Sequence, residues 1–276
     1  MPGSMPASKR LAGCLASLLL LLPLLASASS VAPARVVSIH QCSDRLALQL
    51  ASPSQLQALS YLSADEAKAR QLPTLHAGAD EVAWLQPDLV LADSFSSPHT
   101  LSLLRQLNIP VHSLNWVSNF ADIAPRLRAL GQALGQHQAG QQQAQQLEER
   151  LQQLRPQGQQ RQTLLISQGG WTPATDTLSG DLLQRLQLRD ARGPGQHGWQ
   201  RLTLEQIWRL QPQLIIVLED DSPLPSLGAP YWQLASLSRG PWQLLRLPGT
   251  GLSCAEPSAL HTLERLNLLL EKLPHG

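Results

Sequence analysis

From residue 34 onward, short apolar runs rich in β-branched residues alternate with longer stretches in which leucines recur at helical spacing. Arg35 to Ile39 (RVVSI) is the first short run. It breaks at the polar His40-Gln41-Cys42-Ser43-Asp44, and Leu46, Leu48 and Leu50 then open a helical segment. A second unit begins at Asp80-Glu81-Val82, passes Trp84-Leu85 and Gln86-Pro87, and enters the buried run Asp88 to Ala92, which exits at Asp93-Ser94-Phe95-Ser96-Ser97. In the third, Leu101, Leu103, Leu104 and Leu107 form a helix face, Asn108 stops it, and Ile109 to Leu114 is a strand exiting at Asn115-Trp116. Strands alternating with helices at this spacing predict a parallel sheet.

The texture changes between Asn119 and Leu154. Apolar residues at Ile123, Leu127, Leu130 and Leu134, then at Leu147, Leu151 and Leu154, keep helical steps through a Gln-rich stretch. Asn119 and Asp122 suit its N-terminal cap, and Pro125 is tolerable so near the start. Unbroken, the segment would reach ~50 Å at ~1.5 Å per residue, whereas Gly131, Gly135 and Gly140 leave room for two shorter helices. A polar break at Pro156 to Gln160 precedes a second round of the same alternation: strand Thr163 to Ser167, helices Leu178 to Leu188 and Leu204 to Leu210, strand Leu214 to Leu218, strand Trp242 to Leu247 and helix Pro257 to Leu273. The expected fold is α/β, with two lobes of mainly parallel sheet joined by one long backbone helix. The lobes span residues 34–118 and 162–276, with the helix at 119–155. A weak internal repeat supports two halves. Glu81 to Leu91 and Glu205 to Val217 each read Glu, short helix, Gln-Pro, strand.

Residues 1–28 stand apart. Lys9 and Arg10 precede an apolar run from Leu11 to Leu25 that closes on Ala26-Ser27-Ala28, the order of a cleaved export signal. Its length falls short of the ~20 residues of a membrane span. Leu11-Ala12-Gly13-Cys14 resembles a lipoprotein box but precedes the apolar run rather than ending it. The expected location is the periplasm. Cleavage near Ser29 removes Lys9 and Arg10 and no acid, so the full chain's net charge of +1 becomes about −1. That balance, without basic clusters, argues against nucleic acid and anionic membrane surfaces as partners. Only Cys42 and Cys254 survive processing. An even pair in an oxidising compartment reads as a disulfide tying one lobe to a late loop of the other, with two free thiols facing a ligand or metal as the alternative.

Several stretches together resemble the periplasmic binding proteins of iron-chelate and cobalamin ABC importers, over about residues 34–273. These are the RVVSI strand with its Cys-Ser-Asp turn, Glu81 to Leu91, Leu107-Asn108-Ile109-Pro110-Val111, Asp176 to Leu183, and Leu202-Thr203-Leu204-Glu205. The resemblance implies a monomeric two-lobed protein with no catalytic residue and no cofactor of its own. It implies capture of a small-molecule metal chelate (cobalamin, a ferric siderophore or haem) and delivery to an inner-membrane ABC permease. Glu81 and Glu205 stand where one glutamate on each lobe meets permease arginines; helix N-termini also favour such carboxylates in their own right.

In open α/β sheets a ligand lies beyond the carboxyl ends of the strands. The candidate ligand residues are therefore His40, Gln41, Cys42, Ser43, Tyr61, Phe95, Asn115 and Trp116 on the first lobe. On the second they are Gln168, Trp171, His197, Trp199, Glu219 and Asp220. Seven Trp against two Tyr and two Phe is an unusual balance. Trp116, Trp171 and Trp199 fall at loops, where they either wall a macrocycle or plug lobe interfaces; Trp84, Trp208, Trp232 and Trp242 read as packing residues. His40, His76, His99, His112 and His197 lack the close spacing of a bare-metal site, so no metal ligand is assigned. Arg45 and Arg189 are candidates for pairing an anion, yet no Arg cluster marks the strand exits, which favours a neutral or weakly charged chelate. A metal-ion receptor or metallochaperone is the alternative. An exported hydrolase using Cys42 or Ser38 is disfavoured, because no Gly-x-Ser-x-Gly elbow or third orienting residue is present.

Overall fold

The computed structural model of the chain describes residues 1, 3, 32–167, 170–219, 236–249 and 251–274. The expected export signal, Gln168, Asp220 and Trp232 lie outside them. The first lobe holds a five-stranded parallel sheet of β1 (Val36–Ser38), β2 (Leu56–Ser60), β3 (Thr74–Leu75), β4 (Leu89–Asp93) and β5 (Val111–Leu114), in the order β3-β2-β1-β4-β5. Between these strands run α1 (Gln41–Leu50), α2 (Ala64–Ala69), α3 (Ala79–Trp84) and α4 (Pro98–Gln106). In the second lobe β6 (Gln162–Ile166), β8 (Arg189–Asp190), β10 (Leu214–Glu219) and β11 (Gln243–Pro248) form a parallel sheet in the order β11-β10-β6-β8. A separate antiparallel pair, β7 (Trp171–Pro173) and β9 (Trp199–Arg201), stands beside it. The helices here are α7 (Leu178–Arg185), α8 (Leu204–Leu210) and α9 (Ala259–Glu271).

Burial on both faces explains why the central strands are continuous apolar runs. Successive side chains point to opposite faces, so Val36, Leu89 and Leu91 enter one core while Val37, Val90 and Ala92 enter another with Val82 of α3 and Leu104 of α4. The outer face of the second sheet does the same. There Leu164, Ile166, Ile215 and Val217 pack with Ile207 of α8 and Trp242. The inner faces of both sheets share one core. It runs from Leu46 and Leu91 through Leu127, Leu130 and Leu134 to Leu165, Ile216, Leu263 and Leu266.

The segment between the lobes is two helices, α5 (Ile123–Ala133) and α6 (His137–Gln153), not one helix over 119–155. Gly135 takes φ +68°, a left-handed turn that costs glycine little. The helices then fold back on each other, with Gly131 against Gly140: a Cβ on Gly131 would lie 2.9 Å from Gly140 Cα and 2.9 Å from Gln136 O. Arg128 of α5 clasps Glu148 of α6. The hairpin touches both lobes through the Gln143 side chain donating to Gln49 O at 3.3 Å and through the Arg150–Glu264 ion pair.

Candidate functional site

The order β3-β2-β1-β4-β5 changes direction between β1 and β4, and a crevice opens at the carboxyl end of such a switch point. His40 follows β1 and Asp93 ends β4, and they meet there: His40 Nδ1 lies 2.6 Å from Asp93 Oδ2. Burial alone would raise the Asp93 pKa. The hydrogen bond to His40, the Phe95 N–H at 2.8 Å and the imidazole charge together outweigh it and hold the carboxyl below its ordinary value. Phe95 stacks on His40 with centroids 5.8 Å apart, and Trp116 meets Phe95 edge-on at 5.5 Å. Polar anchor and aromatic wall thus form one unit.

The cleft beyond these groups is lined from the first lobe by Cys42, Asp93, Ser94, Phe95, Asn115, Trp116 and Val117. From the second come Thr177, Leu178, Ser179, Trp199, Leu252, Ser253, Cys254 and Ala255, and from α5 Arg126. Its enclosed part is only about 50 Å³, space for a few waters. Phe95, Trp116 and Trp199 stand about half exposed at its mouth, so a large ligand has to meet them there.

Of the candidate residues, the cleft gathers Cys42, Phe95, Asn115, Trp116 and Trp199, with His40 one hydrogen bond behind. Gln41 is exposed outside it. Ser43 is wholly buried, donating to His40 O at 2.8 Å and accepting from the Ser38 hydroxyl at 2.8 Å, so it shapes the turn and presents nothing to a ligand. Tyr61 is stacked on His76 at 5.2 Å, away from the cleft lining. Trp171 is exposed on β7, exposed His197 lies 3.4 Å from Asp176, and exposed Glu219 faces Arg246 at 3.9 Å; none lines the cleft. Glu81 and Glu205 lie on the outer helices α3 and α8.

Cys42 and Cys254 are joined by a disulfide, with their Cα atoms 4.9 Å apart. The seam continues beside it. Arg45 pairs with the buried Glu256 at 2.8 Å, and the Gln49 amide donates to the same carboxylate at 3.1 Å. Arg45 is therefore engaged at the seam, and Arg189 bonds Gln160 on the surface at 2.7 Å. Among the described residues, His40, Cys42 and Asp93 are the one trio whose ligand atoms lie within 4.8 Å of one another. The disulfide leaves Cys42 without the thiolate that a metal would require.

The sequence reading missed Arg126. Its Nη1 donates to Cys254 O at 2.9 Å, and its buried Nε has no hydrogen-bond partner among the described residues. Burial lowers its pKa, opposed by the nearby Asp93 and Glu256 carboxylates. The signal was its place on α5, three residues after Ile123 and four before Leu130, a cation bordering a buried stripe.

The model of a family described as periplasmic binding protein matches residues 36–242. No curated protein matches the chain in sequence. Among solved structures, the chain is similar to the periplasmic vitamin B12 binding protein BtuF of Vibrio cholerae, with 21% identity, TM-score 0.66, and coverage of 87% of this chain and 97% of that one. It is also similar to the periplasmic haem binding protein HutB of Vibrio cholerae (20%, TM-score 0.69, 86% and 98%). A periplasmic haem binding protein from Pseudomonas aeruginosa follows the same fold (20%, TM-score 0.64, 85% and 92%).

Proposed function

The chain belongs to the periplasmic binding protein family, whose members bind solutes rather than transform them, and from that premise we propose that it captures a metal chelate in the interlobe cleft for an ABC importer. The observation that carries this reading is the aromatic wall His40–Phe95–Trp116, faced by Trp199 across a cleft whose enclosed depth is too small for the whole ligand. Flat apolar rings at the mouth suit a macrocycle or an aryl chelator, and the names of the similar structures, vitamin B12 and haem binders, agree with that chemistry. Arg126 lines the cleft, and its guanidinium can donate to an acceptor group on the chelate. The protein is read as a monomer that works in the periplasm after its export signal is removed, and hands its ligand to an inner-membrane permease through Glu81 and Glu205.

Titrating the purified protein with cobalamin, haem, ferric siderophores and free divalent metals, while following Trp emission, tests the proposal. Saturable quenching by a chelate, lost in Trp116→Ala and weakened about tenfold or more in Arg126→Met, is the expected result. A response to bare metal alone would instead establish a metal-ion receptor.

A further inference from the structure

The internal repeat carries more than its two glutamates. Trp84 stands three residues after Glu81 and Trp208 three residues after Glu205, each on a short helix that leads through Gln-Pro into a central strand, β4 or β10. A spacing of three puts Glu and Trp on one helical face. Both indoles are in water where the sequence reading expected packing: Trp84 is 86% exposed and Trp208 42% exposed, the latter resting on the buried Trp242 at 4.9 Å. A single exposed apolar residue is unremarkable in a soluble protein. Here the exposure recurs three residues after a glutamate in both lobes, although Trp84 is the last residue of α3 and Trp208 lies within α8.

We infer that each Glu-x-x-Trp pair is one two-part contact for a guanidinium on the permease: the carboxylate takes its forked N–H donors, and the indole covers its face. This rests on the reading that Glu81 and Glu205 dock the permease. Arginine suits both halves, because its planar cation bonds carboxylates in a fork and stacks on indole rings. Each carboxylate already has a local partner. Glu81 accepts from the His76 N–H at 2.8 Å, with the His76 ring at 3.8 Å, and Glu205 pairs with Arg209 at 2.5 Å. The His76 ring and Arg209 are exposed, and such surface contacts contribute little, so a guanidinium arriving with an indole contact can displace them. Two matching pairs on two lobes fit a partner that presents the same cationic surface twice, as a permease of two like subunits does. Trp84, with no ring against it among the described contacts, has more surface left to bury than Trp208.

The test is binding of the purified protein to the importer's membrane complex in nanodiscs, for Trp84→Ala, Trp84→Phe, Trp208→Phe and the Glu81→Ala/Glu205→Ala double variant. Circular dichroism and chelate affinity serve as folding controls, and Trp208→Phe keeps a ring against Trp242. Expected are a loss of about 5- to 30-fold for Trp84→Ala, partial recovery in Trp84→Phe, and a smaller loss for Trp208→Phe. Combining Trp84→Ala with Glu81→Ala should cost less than the product of the separate losses. If the double glutamate variant loses binding while the Trp variants bind like wild type, the paired contact is wrong and glutamate docking stands. If neither set changes binding, the docking reading falls as well. A loss with the Trp variants alone would also overturn the pairing.

Discussion

Asp44 and Asp93 are both buried, and their surroundings drive them in opposite directions. Burial raises the Asp44 carboxyl above its ordinary 3.8 and prevails over the hydrogen bonds it accepts from the Ser60 hydroxyl and N–H. Asp93 is also opposed by burial, but the bond to His40, the Phe95 N–H, the His40 charge and the Ser96 hydroxyl bring it below 3.8. A depressed carboxyl stabilises the fold above its unfolded pKa and loses that contribution as pH falls through the lower folded value. A raised carboxyl does the reverse: its cost develops as pH rises from 3.8 through the folded value and is relieved on acidification. Urea midpoints measured from about pH 7 to about pH 3 should therefore show Asp93→Asn most destabilised relative to wild type near neutrality, with the gap closing in acid. Against Asp44→Asn, wild type should gain as pH falls. Curves parallel to wild type would mean that neither carboxyl is perturbed as described. None of this was legible in the sequence. Asp44 reads there as one more turn residue, and Asp93 as a polar strand exit without a partner.

The elements divide by how their residues are covered. Central strands such as β4 and β10 are buried on both faces and read directly as apolar runs, and α8 lies where the helix over Leu204 to Leu210 was expected. By contrast β3 and β8 have two residues and β7 and β9 three, too few for any periodicity, and Gln57 interrupts the apolar run of β2. Helical spacing alone also could not distinguish a face covered by the fold from one left in water, which is why Trp84 read as packing. The α5–α6 hairpin shows the same limit. Its leucines keep helical phase on both sides of Gly135, so one helix and two helices leave the same pattern, and the outcome is decided by the Gly131–Gly140 approach. Gly131→Ala should cost about 1–3 kcal/mol, since the new Cβ meets backbone atoms that cannot rotate away. Thermal denaturation measures it, and an unchanged midpoint would show that the helices can part without loss.

At the scale of the whole molecule, the same features that hold the lobes together limit how they admit a ligand. The inner faces of both sheets share one core with α5 and α6, and the seam is closed by the Cys42–Cys254 disulfide and the Arg45–Glu256 pair. A large hinge opening would expose that core, whereas a small separation at the mouth moves only the half-exposed Phe95, Trp116 and Trp199. The disulfide, spanning 212 residues, restrains this motion together with the shared core and the Arg45–Glu256 pair. Its share can be separated. The Cys42→Ser/Cys254→Ser variant should lose about 2–5 kcal/mol in urea unfolding, because the cross-link restricts the unfolded chain. If the disulfide also limits the lobes, small-angle scattering of this variant without ligand should give a larger radius of gyration, and addition of the quenching chelate should restore the wild-type value. A variant that loses stability but scatters like wild type would leave the core and the ion pair as the restraints, with the disulfide acting on the unfolded state alone. The expected order is a clear change in both, because Cys42 and Cys254 line the cleft itself, where any opening must first be felt.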